Sequence, residues 1–80
     1  MSRTEPNVGW MRPVDLSILQ FLADNRAEYP AIIANRVGGH TPDVERRCQA
    51  LATQGYLEAV SGEVVYRITS DGRLLLGRAD

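Results

Sequence analysis

The stretch GGHTPDVERRCQALATQGYL, residues 38–57, holds a turn, a helix start, a helical apolar spacing and a helix stop. Gly38 and Gly39 let the chain turn sharply, because glycine takes the left-handed conformation that closes a preceding helix. Thr41 is expected to cap the new helix by accepting from its first-turn amides. Pro42 suits the first helical position, where its missing N–H is no loss, and Asp43 faces the positive end of the dipole. The helix is predicted to run to Gln54 and to stop at Gly55. At about 100° per residue, Val44, Cys48 and Leu51 share one narrow sector, which is the core-facing side. Arg46 and Gln49 project almost opposite, beside Pro42 and Thr53. Arg47 lies on a flank nearer the core, within reach of either a phosphate or a carboxylate of its own domain.

Upstream, Pro30 opens a short helix, PAIIANRV, in which Ile33 and Val37 form an i, i+4 apolar pair and which Gly38 ends. NRAEY breaks the pattern. Before it, PVDLSILQFLADN starts at Pro13 and carries Ile18, Leu19 and Leu22 at helical spacing. Val14 and Phe21, one heptad apart, form a second apolar set on the same helix. Its polar face is therefore narrow, and cover is expected on two sides. Residues 1–9 read as a frayed arm, 10–76 as one domain and 77–80 as a charged tail.

Downstream the period changes from helical to alternating. YLEAV and EVVYRIT flank the turn SG and read as two antiparallel strands, with Tyr66 and Ile68 on one face and Val65 and Arg67 on the other. TSDGRLLLGRAD then offers a cap at Thr69 or Ser70 and an apolar run, Leu74 to Leu76, predicting a short final helix. The order is helix, helix, glycine turn, helix, hairpin. That is an α+β chain of the winged helix-turn-helix kind, with three helices, a two-stranded β wing and a short C-terminal helix.

Composition sets the bounds. The chain has 80 residues, enough for one domain, and a domain of this size buries only about 60 % of the surface its unfolded chain exposes. The single cysteine, Cys48, precludes an internal disulfide. With the single histidine, His40, it cannot furnish a four-ligand zinc site, so no metal and no cofactor are expected. Apolar runs are too short for a membrane span and the start has no signal-peptide core, so a cytoplasmic location is expected. The net charge is −1 and the pI about 5.7, which speaks against a strongly basic nucleic-acid binder. All nine basic residues are arginine, whose planar fork suits phosphate and guanine. A genome that avoids lysine explains this as well. No phosphate loop, nucleophile with a base, or pocketed carboxylate pair is present, so no enzymatic activity is expected.

DLSILQFL, the run from PAIIANRV through GYLEAV, and VYRITSDGRLLL together are similar to the winged helix-turn-helix repressors. The likeness is greatest to the small haloarchaeal proteins that resemble the repressor of the halophage phiH, and it spans about residues 10–76. Its carriers are IL..L in the first helix, the spacing from valine to L...GYL in the third, and YRIT..GR at the strand exit. The resemblance implies that the third helix enters the major groove through Arg46, Arg47 and Gln49, with the hairpin turn around Ser61 and Gly62 near the backbone. Two departures stand out. Cys48 replaces a common leucine and reads as core filler, since a reactive thiol needs exposure. The wing carries Glu58 and Glu63, which repel phosphate and leave Arg67 as its nearby cation.

The expectation is a transcriptional repressor of double-stranded DNA that occludes a promoter, with Arg46 and Gln49 reading bases and Arg36, Thr41 and Arg47 holding phosphates. His40 reads as a solvated turn residue. A winged-helix module that binds protein instead of DNA is the alternative, supported by the near-neutral charge, the acidic wing, and Asp43 with Glu45 at the end of the helix that should approach phosphate. Apolar residues left over from one core, Trp10, Phe21 and Leu75, suggest a homodimer interface away from the third helix.

Overall fold

A computed structural model of the chain describes residues 9–60, 62 and 64–79, with 78 and 79 described by backbone alone. Its elements are α1 (Pro13–Asp24), α2 (Pro30–Val37), α3 (Thr41–Thr53), β1 (Leu57–Ala59), β2 (Tyr66–Ile68) and α4 (Ser70–Ala79). Proline stands in the first turn of α1, α2 and α3. Ahead of α1, the backbone N–H of Arg12 donates to Asp15 Oδ2 at 2.9 Å, so the third helical residue reaches back to the cap position. Ile18, Leu19 and Leu22 of α1 are fully buried, and Val14 and Phe21 are partly buried on its other side. The two-sided cover expected of this helix is provided by α2, α3, β2 and α4, all of which pack on it. At its far end Asn25 donates to the Phe21 carbonyl at 2.6 Å and Arg73 of α4 to that of Ala23 at 3.3 Å, closing the helix C-terminus.

The turn between α2 and α3 needs both glycines for different reasons. Gly38 has φ +76° and its N–H returns to the Ala34 carbonyl. Gly39 has no room for a side chain, since a Cβ there would sit 2.8 Å from Val44 Cγ2. The expected Thr41 cap is one residue late. His40 holds the cap position, without a side-chain bond, and Thr41 already lies in the first turn of α3. The helix ends at Thr53, and Gly55 at φ +87° lets the Tyr56 N–H return to the Leu51 carbonyl at 2.9 Å.

The wing is shorter than the alternation suggested. Leu57 pairs with Ile68, Glu58 with Arg67 and Ala59 with Tyr66, and Val60 donates to the Val65 carbonyl before the chain turns. Gly62 takes φ +81°, whereas Ser61 and Glu63, also assigned to the wing tip, lie outside the described residues. Tyr66 and Ile68 face the core as expected. Val65, read onto the other face, is buried too, because it precedes the regular strand. NRAEY is more than a break in pattern. Glu28 and Tyr66 exchange main-chain hydrogen bonds at 3.1 and 3.0 Å, adding a one-residue bridge to the other side of β2.

Thr69 joins two elements through one hydroxyl, which accepts from the Gly72 N–H at 3.0 Å and donates to the Gly55 carbonyl at 2.7 Å. Helix α4 continues to Ala79, past the point where the sequence placed a tail. Among the described residues, no helix is long and apolar enough to cross a membrane.

Candidate nucleic-acid interface

Helix α3 is built with two opposite faces. Val44, Cys48 and Leu51 are at most 1 % exposed and anchor it to α1 and α2. Burial drives the Cys48 thiol pKa from 9.0 up to about 12, helped by the carboxylates of Asp15 and Glu45. On the outer face Pro42, Arg46, Gln49 and Thr53 are all exposed. At about 100° per residue these four form one stripe, roughly 16 Å long at 1.5 Å rise per residue.

Arg46 forms an ion pair with Asp43, one turn earlier, with both side chains more than 60 % exposed. An exposed pair of this kind is worth about 0–1 kcal/mol, so the guanidinium is readily exchanged to a stronger anion. His40 lies at the edge, exposed, with Nδ1 3.7 Å from Asp43 Oδ2. Thr41 is exposed in the first turn. Arg12, which the sequence reading passed over, lines the same groove as His40, Asp43, Arg46 and Arg47, between the start of α1 and the α2–α3 turn. It stands alone before Pro13, and no periodicity singles it out.

Two other expected contacts, Arg36 and Arg67, are not among the residues lining that groove. Arg36 belongs to a different groove, lined by Leu16, Phe21, Val37 and Leu76, and its guanidinium sits 6.0 Å from the centre of the Phe21 ring. Arg67 is tied across the hairpin to Glu58. Arg47 turns inward. Its Nε donates to Asp15 Oδ1 at 2.9 Å and a terminal nitrogen to Oδ2 at 2.7 Å, while the same nitrogen reaches the Trp10 carbonyl at 3.3 Å. The carboxylate is fully buried and raises the Arg47 pKa above its ordinary value through this hydrogen bonding. Of the two partners open to Arg47, the one present is the domain's own carboxylate.

The residues assigned to a dimer contact divide in the same way. Leu75 is 3 % exposed and belongs to the domain core, because α4 is long enough to lay that side chain against the other elements. Trp10 stacks on Tyr56, with ring centres 6.2 Å apart and planes 16° apart, and carries Arg47 over its ring at 5.8 Å. Phe21 remains partly open.

No family model matches the chain, and no curated protein does. Solved structures do. The PhiH1 repressor-like protein from Haloarcula marismortui superimposes with a TM-score of 0.80 at 24 % identity, over 95 % of this chain and 88 % of that one. ZitR of Lactococcus lactis, in complex with DNA, gives 0.77 at 17 % identity over 99 % of this chain, which spans 56 % of ZitR. The Zalpha domain of cyprinid herpesvirus 3 ORF112, a Z-DNA binder, gives 0.68 at 20 % identity over 70 % of this chain and 92 % of its own. At these identities the likeness is one of fold. Four helices, the glycine turn ahead of α3 and the short antiparallel hairpin make this chain a winged helix-turn-helix domain, the fold of known transcriptional regulators.

Proposed function

We propose that this domain binds double-stranded DNA through α3 and represses transcription by occupying a promoter. The observation that carries the reading is the exposed stripe of Pro42, Arg46, Gln49 and Thr53 on a helix whose opposite face is anchored through Val44, Cys48 and Leu51. Arg46 is suited to bind guanine O6 and N7 together, and Gln49 adenine N6 and N7. Thr41 and Arg12 flank the stripe and suit phosphate oxygens. Winged-helix neighbours described with DNA or Z-DNA support the same assignment. Repression on this reading acts by steric exclusion, the simplest effect of a domain seated on a promoter. A homodimer would set two such helices about 34 Å apart, one turn of DNA, and the groove around Phe21 and Leu76 is the surface offered for it.

The test is selection from a randomised duplex library at fixed salt, followed by titration of the selected site. Enrichment of a motif, with log Kobs falling linearly with log salt, supports the reading. The alternative, a protein-binding winged helix, is favoured by one observation: Arg46 and Arg67 are each matched by a carboxylate. Absence of DNA binding even at low salt would give it precedence.

A further inference from the structure

The ion pair between Asp15 and Arg47 joins the start of α1 to the middle of α3, and Asp15 is the one fully buried charged side chain among the described residues. Burial of such a pair is not needed for stability. Well-packed apolar residues in its place are often neutral or better, whereas removing one partner is costly. Its geometry is unusually complete. Asp15 accepts two bonds from Arg47 and one from the Arg12 N–H, and the same arginine donates to the Trp10 carbonyl and lies over the Trp10 ring. Trp10 in turn stacks on Tyr56, just past the end of α3. The segment ahead of α1 thus grips α3 at its middle and at its end.

We infer that Arg47 is a positioning residue: its bidentate bond to Asp15, backed by Trp10, fixes the roll of α3 about its own axis and so aims Arg46 and Gln49. The inference rests on the reading of α3 as the DNA-contacting helix. The physical need is clear from the anchor. Val44, Cys48 and Leu51 fall within about 60° of helix circumference, a narrow seam about which a helix can rock. Arg47 lies on one flank of that seam. With outer side chains about 6 Å from the helix axis, a roll of roughly 10° moves them by about 1 Å. Hydrogen bonds span only about 2.7–3.2 Å, so such a shift breaks a bidentate base contact. A planar fork on a carboxylate resists the roll because both of its bonds must bend together. A lysine at the same place neutralises Asp15 without that direction.

The test compares wild type with R47K and with the double variant D15N/R47M. Residual dipolar couplings of the α3 amides report the orientation of the helix relative to α1 without DNA. Titration with the selected duplex and a scrambled one gives discrimination and salt slope. R47K is expected to stay folded, to shift the α3 couplings, and to lose about tenfold in discrimination, the share of one misplaced bidentate contact. D15N/R47M is expected to lose discrimination to a similar degree while its salt slope stays that of wild type. It decides the matter if R47K does not fold, since it leaves no buried charge uncompensated. Unchanged couplings with unchanged discrimination would overturn the inference. A salt slope lowered by about one in the double variant would overturn it too, by making Arg47 a direct phosphate contact. If wild type selects no DNA, the proposed function fails, and the couplings alone still decide whether Arg47 sets the roll.

Discussion

Arg46 and Arg47 are neighbours in the chain and about 100° apart on the helix, and that angle separates a surface side chain from one committed to the interior. Arg46→Ala is expected to cost about 1–3 kcal/mol in binding to the selected duplex and to relax one base position, with thermal stability nearly unchanged. Equal affinity of variant and wild type at one salt concentration would remove Arg46 from the reading surface. Cys48 makes the opposite kind of prediction. Its folded pKa lies above the unfolded one, so the stability gained by keeping the thiol neutral is full below pH 9.0 and is lost as pH rises toward about 12. Denaturant midpoints measured from neutral pH to about pH 10 should fall more steeply for wild type than for Cys48→Ala, which isolates the thiol from the titration of Tyr66. The native thiol should also resist labelling until the protein unfolds. The core position of Cys48 was legible because its spacing with Val44 and Leu51 is local. The partner of Arg47 was not: Asp15 lies 32 residues away, and a helix flank says nothing about which carboxylate will be brought to it.

At the scale of elements, start and stop signals were the readable part. Proline opened three helices near the expected places and glycine closed two, since both act through a single residue's backbone. The wing was harder. Three-residue strands leave almost no alternation to detect, and the bridge from Glu28 involves a single residue of a segment with no pattern. Helix α4 offers a paired test. A Cβ on Gly72 would lie 2.3 Å from the Tyr56 carbonyl oxygen, whereas one on Gly77 meets nothing within 4 Å. Gly77→Ala should therefore be neutral to stabilising by up to about 1 kcal/mol, through helix propensity. Gly72→Ala should destabilise by about 1–3 kcal/mol, because the start of α4 must move away from the α3 end turn that Thr69 holds. Thermal denaturation of the two variants checks both, and similar midpoints would show that the Tyr56 contact yields without cost.

For the molecule as a whole, the apolar surplus inferred from composition is smaller than it looked. Helix α4 takes Leu75 into the core and Trp10 packs against Tyr56, while Leu74 stays exposed and Phe21 and Leu76, the proposed dimer surface, are half-buried. Sedimentation equilibrium at micromolar concentration should give a dimer, and Phe21→Asp a folded monomer that still binds DNA, with lower affinity for a two-fold site. A wild-type monomer across that range would remove the interface. Net charge remains the least informative property. A value of −1 conceals an arrangement in which Asp15 and Glu58 neutralise arginines away from the outer stripe of α3, while Asp43 pairs with Arg46 on the stripe itself.

The bridge at Glu28 has one more effect, on how the chain behaves in a crowd. A strand with an open side presents unpaired main-chain donors and acceptors, to which a strand of another molecule can add, and such growth is a route to aggregation. β2 is only three residues long, and one side of its first residue is taken by the exchange between Glu28 and Tyr66 while β1 occupies the other. One residue from the loop before α2 thus occupies the side of β2 that β1 leaves free. On that side no proline or bulge has to be placed in β2, which leaves its outward residue, Arg67, free to vary with whatever it touches.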